Sequence, residues 1–143
     1  MTDPAPSRVD VLSSMLLELI EILRDRQGDT WEKIVRIAAN KSATIAIDDT
    51  RIYVQVEGEQ DLQIKISVPE PDAVNSFEST GLAIRKIMFG KSTLEKSVAS
   101  GKIFVSAGFA DLLKIRAIVT AVLQDTETDD RLQNLWEKFD QQW

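Results

Sequence analysis

Gly101-Lys102-Ile103-Phe104-Val105-Ser106-Ala107-Gly108 is the stretch on which the fold of this chain turns. It reads as a short strand with glycine at each end, set between two helical segments. Upstream, Phe89-Gly90-Lys91 ends one apolar helix. Ser92-Thr93-Leu94-Glu95 then opens another, a hydroxyl answered by a carboxylate three residues on. Downstream, Phe109 to Leu123 is almost entirely aliphatic. A lone short strand among helices cannot stand by itself. It must be the edge of a sheet made earlier in the chain, with the helices laid over that sheet.

The earlier strands are legible because the apolar period changes from 3.6 to 2 after Asn40-Lys41-Ser42. Ile45 and Ile47, then Ile52, Val54 and Val56, then Leu62, Ile64, Ile66 and Val68 alternate with mostly polar partners. Turn chemistry separates them at Asp48-Asp49-Thr50 and Gly58-Glu59-Gln60-Asp61. This is a three-stranded antiparallel meander with one apolar and one polar face. Pro69 and Pro71 end it, a short fourth strand is expected over 73–77, and the fifth lies near 102–106.

Helices flank the meander. Leu12, Met15, Leu16, Leu19, Ile20 and Leu23 recur at helical spacing between Val9 and Arg26, and Gly28 stops that helix. A second starts at Asp29 or Thr30, with Trp31, Ile34, Val35 and Ala38 on one side. Near the other end, Leu132, Leu135, Trp136, Phe139 and Trp143 fall within an arc of about 100°. That last helix is expected to fold back over the domain's own apolar face. Docking a second subunit and dipping into a membrane interface are its other uses. The expected fold is therefore α+β: a five-stranded, mainly antiparallel sheet covered on one face by helices, with an extra C-terminal helix. Its parts are a disordered Pro-rich lead over 1–8, the main domain over 9–125 and the amphipathic helix within 126–143.

Composition narrows the function. With 143 residues, the chain forms one domain able to bury roughly two-thirds of its unfolded surface. A net charge of −6 argues against non-specific nucleic-acid binding and against general attraction to anionic headgroups, so any membrane contact is local and transient. The chain contains no cysteine and no histidine, which removes thiolate nucleophiles, zinc–thiolate sites and the commonest general base. Gly90-Lys91-Ser92-Thr93 looks like the end of a phosphate loop, but Arg85 stands where the motif needs glycine and a helix precedes it. The acidic clusters at 48–49, 57–61 and 127–130 lack the ligand spacing of a calcium loop. No catalytic residue, metal or cofactor is expected, and the protein is read as a non-enzyme. The first residues carry no basic region, so no signal peptide is expected. The apolar stretch 103–123 contains Asp111, Lys114 and Arg116, too many charges for a membrane span. A cytoplasmic location follows as an expectation.

The most informative helix is the aliphatic one. Leu112, Ile115, Ile118, Val119, Val122 and Leu123 cover roughly 140° of its surface, more than packing on one neighbour requires. Either that arc is sandwiched between the sheet and another helix, or part of it lines a cavity for an apolar guest.

Taken together the pattern resembles the sterol carrier protein type-two family of lipid-binding domains, in a stand-alone form. The resemblance rests on Pro71-Asp72, Phe89-Gly90-Lys91, the Ser100–Gly108 stretch and the helix Phe109-Ala110-Asp111-Leu112-Leu113-Lys114-Ile115, and it covers about Val9 to Leu123. It implies a five-stranded sheet with helices on one face and an apolar tunnel between them that holds sterols, fatty acids or acyl chains. Periodicity then nominates Phe77, Ile84, Ile87, Met88, Leu94, Val98, Leu112, Ile115, Ile118 and Val119 as its walls. Function is expected to be non-catalytic binding and carriage of an apolar or amphipathic lipid. The alternative is a homodimerising interaction module with a filled core.

Overall fold

Alternating β-branched residues build a five-stranded sheet in the computed structural model, which describes residues 7–59, 61–106 and 109–143, with backbone alone for 109–112. The strands are β1 (Ser42–Ile47), β2 (Thr50–Glu57), β3 (Gln63–Ser67), β4 (Phe77–Ser79) and β5 (Ile103–Val105), in the order β3-β2-β1-β4-β5. Only the central β1–β4 pair is parallel; the other three are antiparallel. The strand read from Lys102–Ser106 is indeed the sheet's edge. The fourth strand starts later than expected, because the segment before Phe77 is held by other bonds: Arg51 binds the Ala73 carbonyl and the Asn75 side chain.

The described residues form six helices: α1 (Arg8–Arg26), α2 (Asp29–Ala38), α3 (Gly81–Met88), α4 (Leu94–Ala99), α5 (Phe109–Thr126) and α6 (Asp130–Gln142). Most starts are marked by a side-chain cap. Ser7, Thr80, Thr93 and Asp129 each accept from a backbone N–H two or three residues on. Ser7 caps α1, so the first helix begins inside the segment read as lead, and residues 1–6 lie outside the described part. Thr93, not Ser92, caps α4, one residue later than the capping box implied.

The helices pack on the face that carries Ile45, Ile47, Ile52, Val54, Phe77 and Ile103. The opposite face presents Gln55, Lys65, Glu78 and Phe104 to solvent, as the alternation requires. Three apolar clusters fill the covered side. One joins α1, α2 and α6 through Ile22, Leu23, Trp31, Leu132, Leu135 and Trp136. A second sets Leu12 of α1 on Ile47, Ile52 and Val54. The third lies under α3, α4 and α5. The last helix thus folds back into the core, with Leu132 0% and Phe139 1% exposed. It is a structural part of the same domain and no appendage. Among the described residues no helix is long and apolar enough to cross a membrane.

Candidate apolar ligand site

The third cluster is where the nominated walls converge. Thr80 Oγ1 accepts from Ala83 N at 3.0 Å and starts α3 directly after β4. The spacing of Ala83, Ile84, Ile87 and Met88 then turns one side of this helix to the core. Gly90, at φ 73, ends it in the left-handed region that glycine adopts without strain. The chain re-enters as α4, which sends Leu94 and Val98 against Ile103 of β5. α5 supplies Ile115, Val119 and Leu123 from the far side. An ion pair between Arg116 of α5 and Glu95 of α4 ties the two helices at the rim.

Six of the ten nominated residues meet in this one cluster: Phe77, Ile87, Leu94, Val98, Ile115 and Val119. Phe77 also reaches the α1–sheet cluster, where Ile84 packs. Met88 and Ile118 pack instead against the α1–α2–α6 cluster, because they lie on the sides of α3 and α5 turned toward α6. The side chain of Leu112 lies outside the described residues. The reading missed Ala83, Ile103, Val105 and Leu123, which also belong here. Strand alternation marks Ile103 and Val105, and the aliphatic arc of α5 marks Leu123.

Burial divides the site into floor and rim. Ala83, Ile87, Leu94 and Ile103 are buried, whereas Phe77, Val98, Val105, Ile115, Val119 and Leu123 are only half-buried. Among the described side chains of α5, only Ala121 and Val122 are buried. Its main neighbours are α2, α4 and α6, not a strand. Polar groups are few: the buried hydroxyl residues nearby are Ser79 and Ser97, and Ser79 Oγ donates to the Thr80 carbonyl at 2.9 Å.

The neighbouring space, between α1, α3 and the β1–β2 turn, is occupied by Trp143. Its ring packs against the Leu12–Ile47–Ile52 cluster and stacks on Phe139 at 5.4 Å. Its Nε1–H donates to Asp48 Oδ2 at 2.8 Å, and the Arg8 guanidinium lies 4.8 Å above the ring. Asp48 Oδ2 also accepts from Gly81 N at 3.2 Å, so one carboxylate joins the tail to the start of α3.

Two hollows stand out among the described residues, and neither is lined by a nominated wall residue. One, of about 440 Å³, lies on the uncovered sheet face between Ala46, Arg51, Glu78, Lys102 and Phe104. Three of its polar side chains answer one another: Arg51 donates to Asn75 at 3.0 Å and Asn75 to Glu78 at 2.6 Å. The other, between α1 and α6, is about 10 Å³, the room of a single water. Among the described residues, the one carboxyl with a clearly displaced titration stands elsewhere, at the start of α6. Burial of Asp129 pushes its pKa up. The Arg26 hydrogen bond, the Leu132 and Arg131 backbone N–H groups and the Arg26 charge outweigh that and hold it below the ordinary value.

No protein-family model, curated protein or solved structure matches this chain.

Proposed function

We propose that this protein binds and carries an apolar or amphipathic lipid, without catalysis, between the sheet and the helices that follow Phe77, in the manner of the sterol carrier protein type-two domains it resembles. The observation that carries this reading is α5. An eighteen-residue helix this aliphatic is expected to bury a broad face, yet Ile115, Ile118, Val119 and Leu123 are only half-covered and Leu113 is 45% exposed. Apolar surface left half-covered around this cluster favours a guest, because each methylene it buries is worth about 0.8 kcal/mol. Roughly eight methylenes would supply about 6 kcal/mol before the costs of association, with no dedicated polar motif. A chain with no histidine and no cysteine has few groups for acid–base or nucleophilic chemistry near neutral pH, which favours a binding role.

Native mass spectrometry of protein purified from cells tests this directly, together with titration by a fluorescent fatty acid. A co-purifying lipid mass and saturable binding are expected. Val119→Trp should crowd the half-buried rim of the cluster and weaken binding at least tenfold. A second reading, a homodimerising interaction module, draws on the exposed Leu82 of α3, Phe89 at its C-cap and Leu113 of α5. A lipid-free dimer with no saturable uptake would favour it and overturn the carrier.

A further inference from the structure

The charge of this chain is not evenly spread. Residues 81–123, which form α3, α4, β5 and most of α5, hold seven Lys and Arg against Glu95 and Asp111 alone, a balance of +5 in a chain of −6. The remainder therefore stands at −11. The same segment carries four of the exposed large apolar side chains, Leu82 (55%), Phe89 (45%), Phe104 (53%) and Leu113 (45%). A net acidic protein with one segment that holds seven of its seventeen cations but only two carboxylates, together with the exposed Phe89 and Phe104, has a local charge unlike the rest.

The two features coincide on α3. Leu82, Arg85, Lys86 and Phe89 lie within about 100° of one another on the helix, opposite Ala83 and Ile87, which face the apolar cluster. Lys91 follows in the closing turn, where its N–H donates to the Lys86 carbonyl at 2.7 Å. Arg85 is partly engaged by Asp140 of α6 at 3.7 Å. Lys86, Lys91 and Lys96 of α4 have no carboxylate partner among the described residues. Two protruding apolar side chains flanked by cations suit a bilayer interface, where the apolar groups enter the acyl boundary and the cations meet anionic headgroups.

We propose that the outer face of α3, with Lys91, docks this protein on anionic membranes. The inference extends the carrier reading: one helix faces the bilayer on one side and the lipid cluster on the other. An acidic peptide would satisfy the cations but would leave Leu82 and Phe89 without a partner of their own kind, so the bilayer is the better fit.

Co-flotation with vesicles tests it, comparing phosphatidylcholine alone with phosphatidylcholine containing phosphatidylglycerol, at low and high salt. Binding is expected only to the anionic vesicles, and to fade with salt. Lys86→Gln/Lys91→Gln should weaken partition by roughly thirtyfold, given the typical contribution of a cation near an anionic surface. Phe89→Ser should weaken it by about tenfold. Lys33→Gln/Arg36→Gln on α2 removes the same charge and should leave binding unchanged, which also controls for net charge. Equal binding to both vesicle types, no binding to either, or equal losses in the two double variants overturns the docking face. The fatty-acid titration is read separately: lipid uptake without vesicle binding refutes the docking and leaves the carrier, and vesicle binding without uptake does the reverse.

Discussion

Gly81 opens α3 beneath the Trp143 ring, and Gly81→Ala tests how the tail is held. A methyl group there would overlap the ring at Nε1 and Cδ1 and come within 3.1 Å of Asp48 Oδ2. The helix start cannot retreat, because Gly81 N is bonded to Asp48 and Thr80 caps the first turn. The ring can, so it is the part that moves. Its departure forfeits the stack on Phe139, about 1 kcal/mol. It also forfeits the Arg8 contact, about 0.5 kcal/mol, and the hydrogen bond to Asp48, about 1 kcal/mol. Alanine returns about 0.5 kcal/mol through lower chain entropy and better helix propensity. The net loss is about 2 kcal/mol. At about 2.1 cal/mol/K for each of the 143 residues, that lowers Tm by roughly 7 °C.

The decisive assay is a double-mutant cycle by urea or thermal unfolding. In a Trp143→Ala background the clash partner is gone, so Gly81→Ala should become neutral or slightly stabilising. Tryptophan emission of the single variant should shift to the red as Trp143 enters water. Equal cost of Gly81→Ala in both backgrounds would refute the reasoning, since it would place the strain in the backbone of α3 and not against the ring.

Asp129→Ala should cost about 1 kcal/mol at neutral pH through loss of the α6 cap. Because the folded carboxyl titrates below its ordinary value of 3.8, its contribution is complete above that pH and drains away as pH falls through the lower folded value. Denaturation of wild type and variant at pH 7 and pH 3 should therefore show the gap narrowing in acid. Leu132→Ala, at a side chain 0% exposed, should cost about 2–5 kcal/mol, whereas Ile115→Ala at the half-buried rim should cost clearly less. Equal costs in chemical denaturation would mean that the rim is as tightly packed as the core. Thr80→Ala removes the cap of α3 and should cost about 1 kcal/mol, seen first as faster amide exchange at Ala83.

Much of the fold was legible because its signals are local and mutually consistent. Alternation in 44–67 gave the meander and its wet face, and the glycine-bounded Ile103–Val105 announced a sheet edge before any partner was known. The cluster was partly legible for the same reason: periodicity picks the inward side of α3, but not which neighbour that side meets. Ile84, Ile87 and Met88 share that side, yet they join three different clusters. The place of Trp143 was beyond reach of pattern. It depends on Asp48, Arg8 and Gly81, which are far apart in sequence and meet only once α6 has folded back onto α1.

The charge division lies in the order of the residues, and overall composition conceals it. A chain at −6 reads as indifferent to anionic surfaces, and the average is a poor guide when one contiguous segment stands at +5 and the rest at −11. Screening makes the local value the relevant one, because charges farther apart than about 10 Å are largely hidden from each other at 0.1 M salt. The acidic remainder then works with the basic face and not against it. On the proposed docking it would be repelled by the same bilayer and so would orient the molecule with α3 first. In the proposed carrier that orientation would matter, because α3 would meet the headgroups on one side while its Ala83 and Ile87 belong to the apolar cluster on the other.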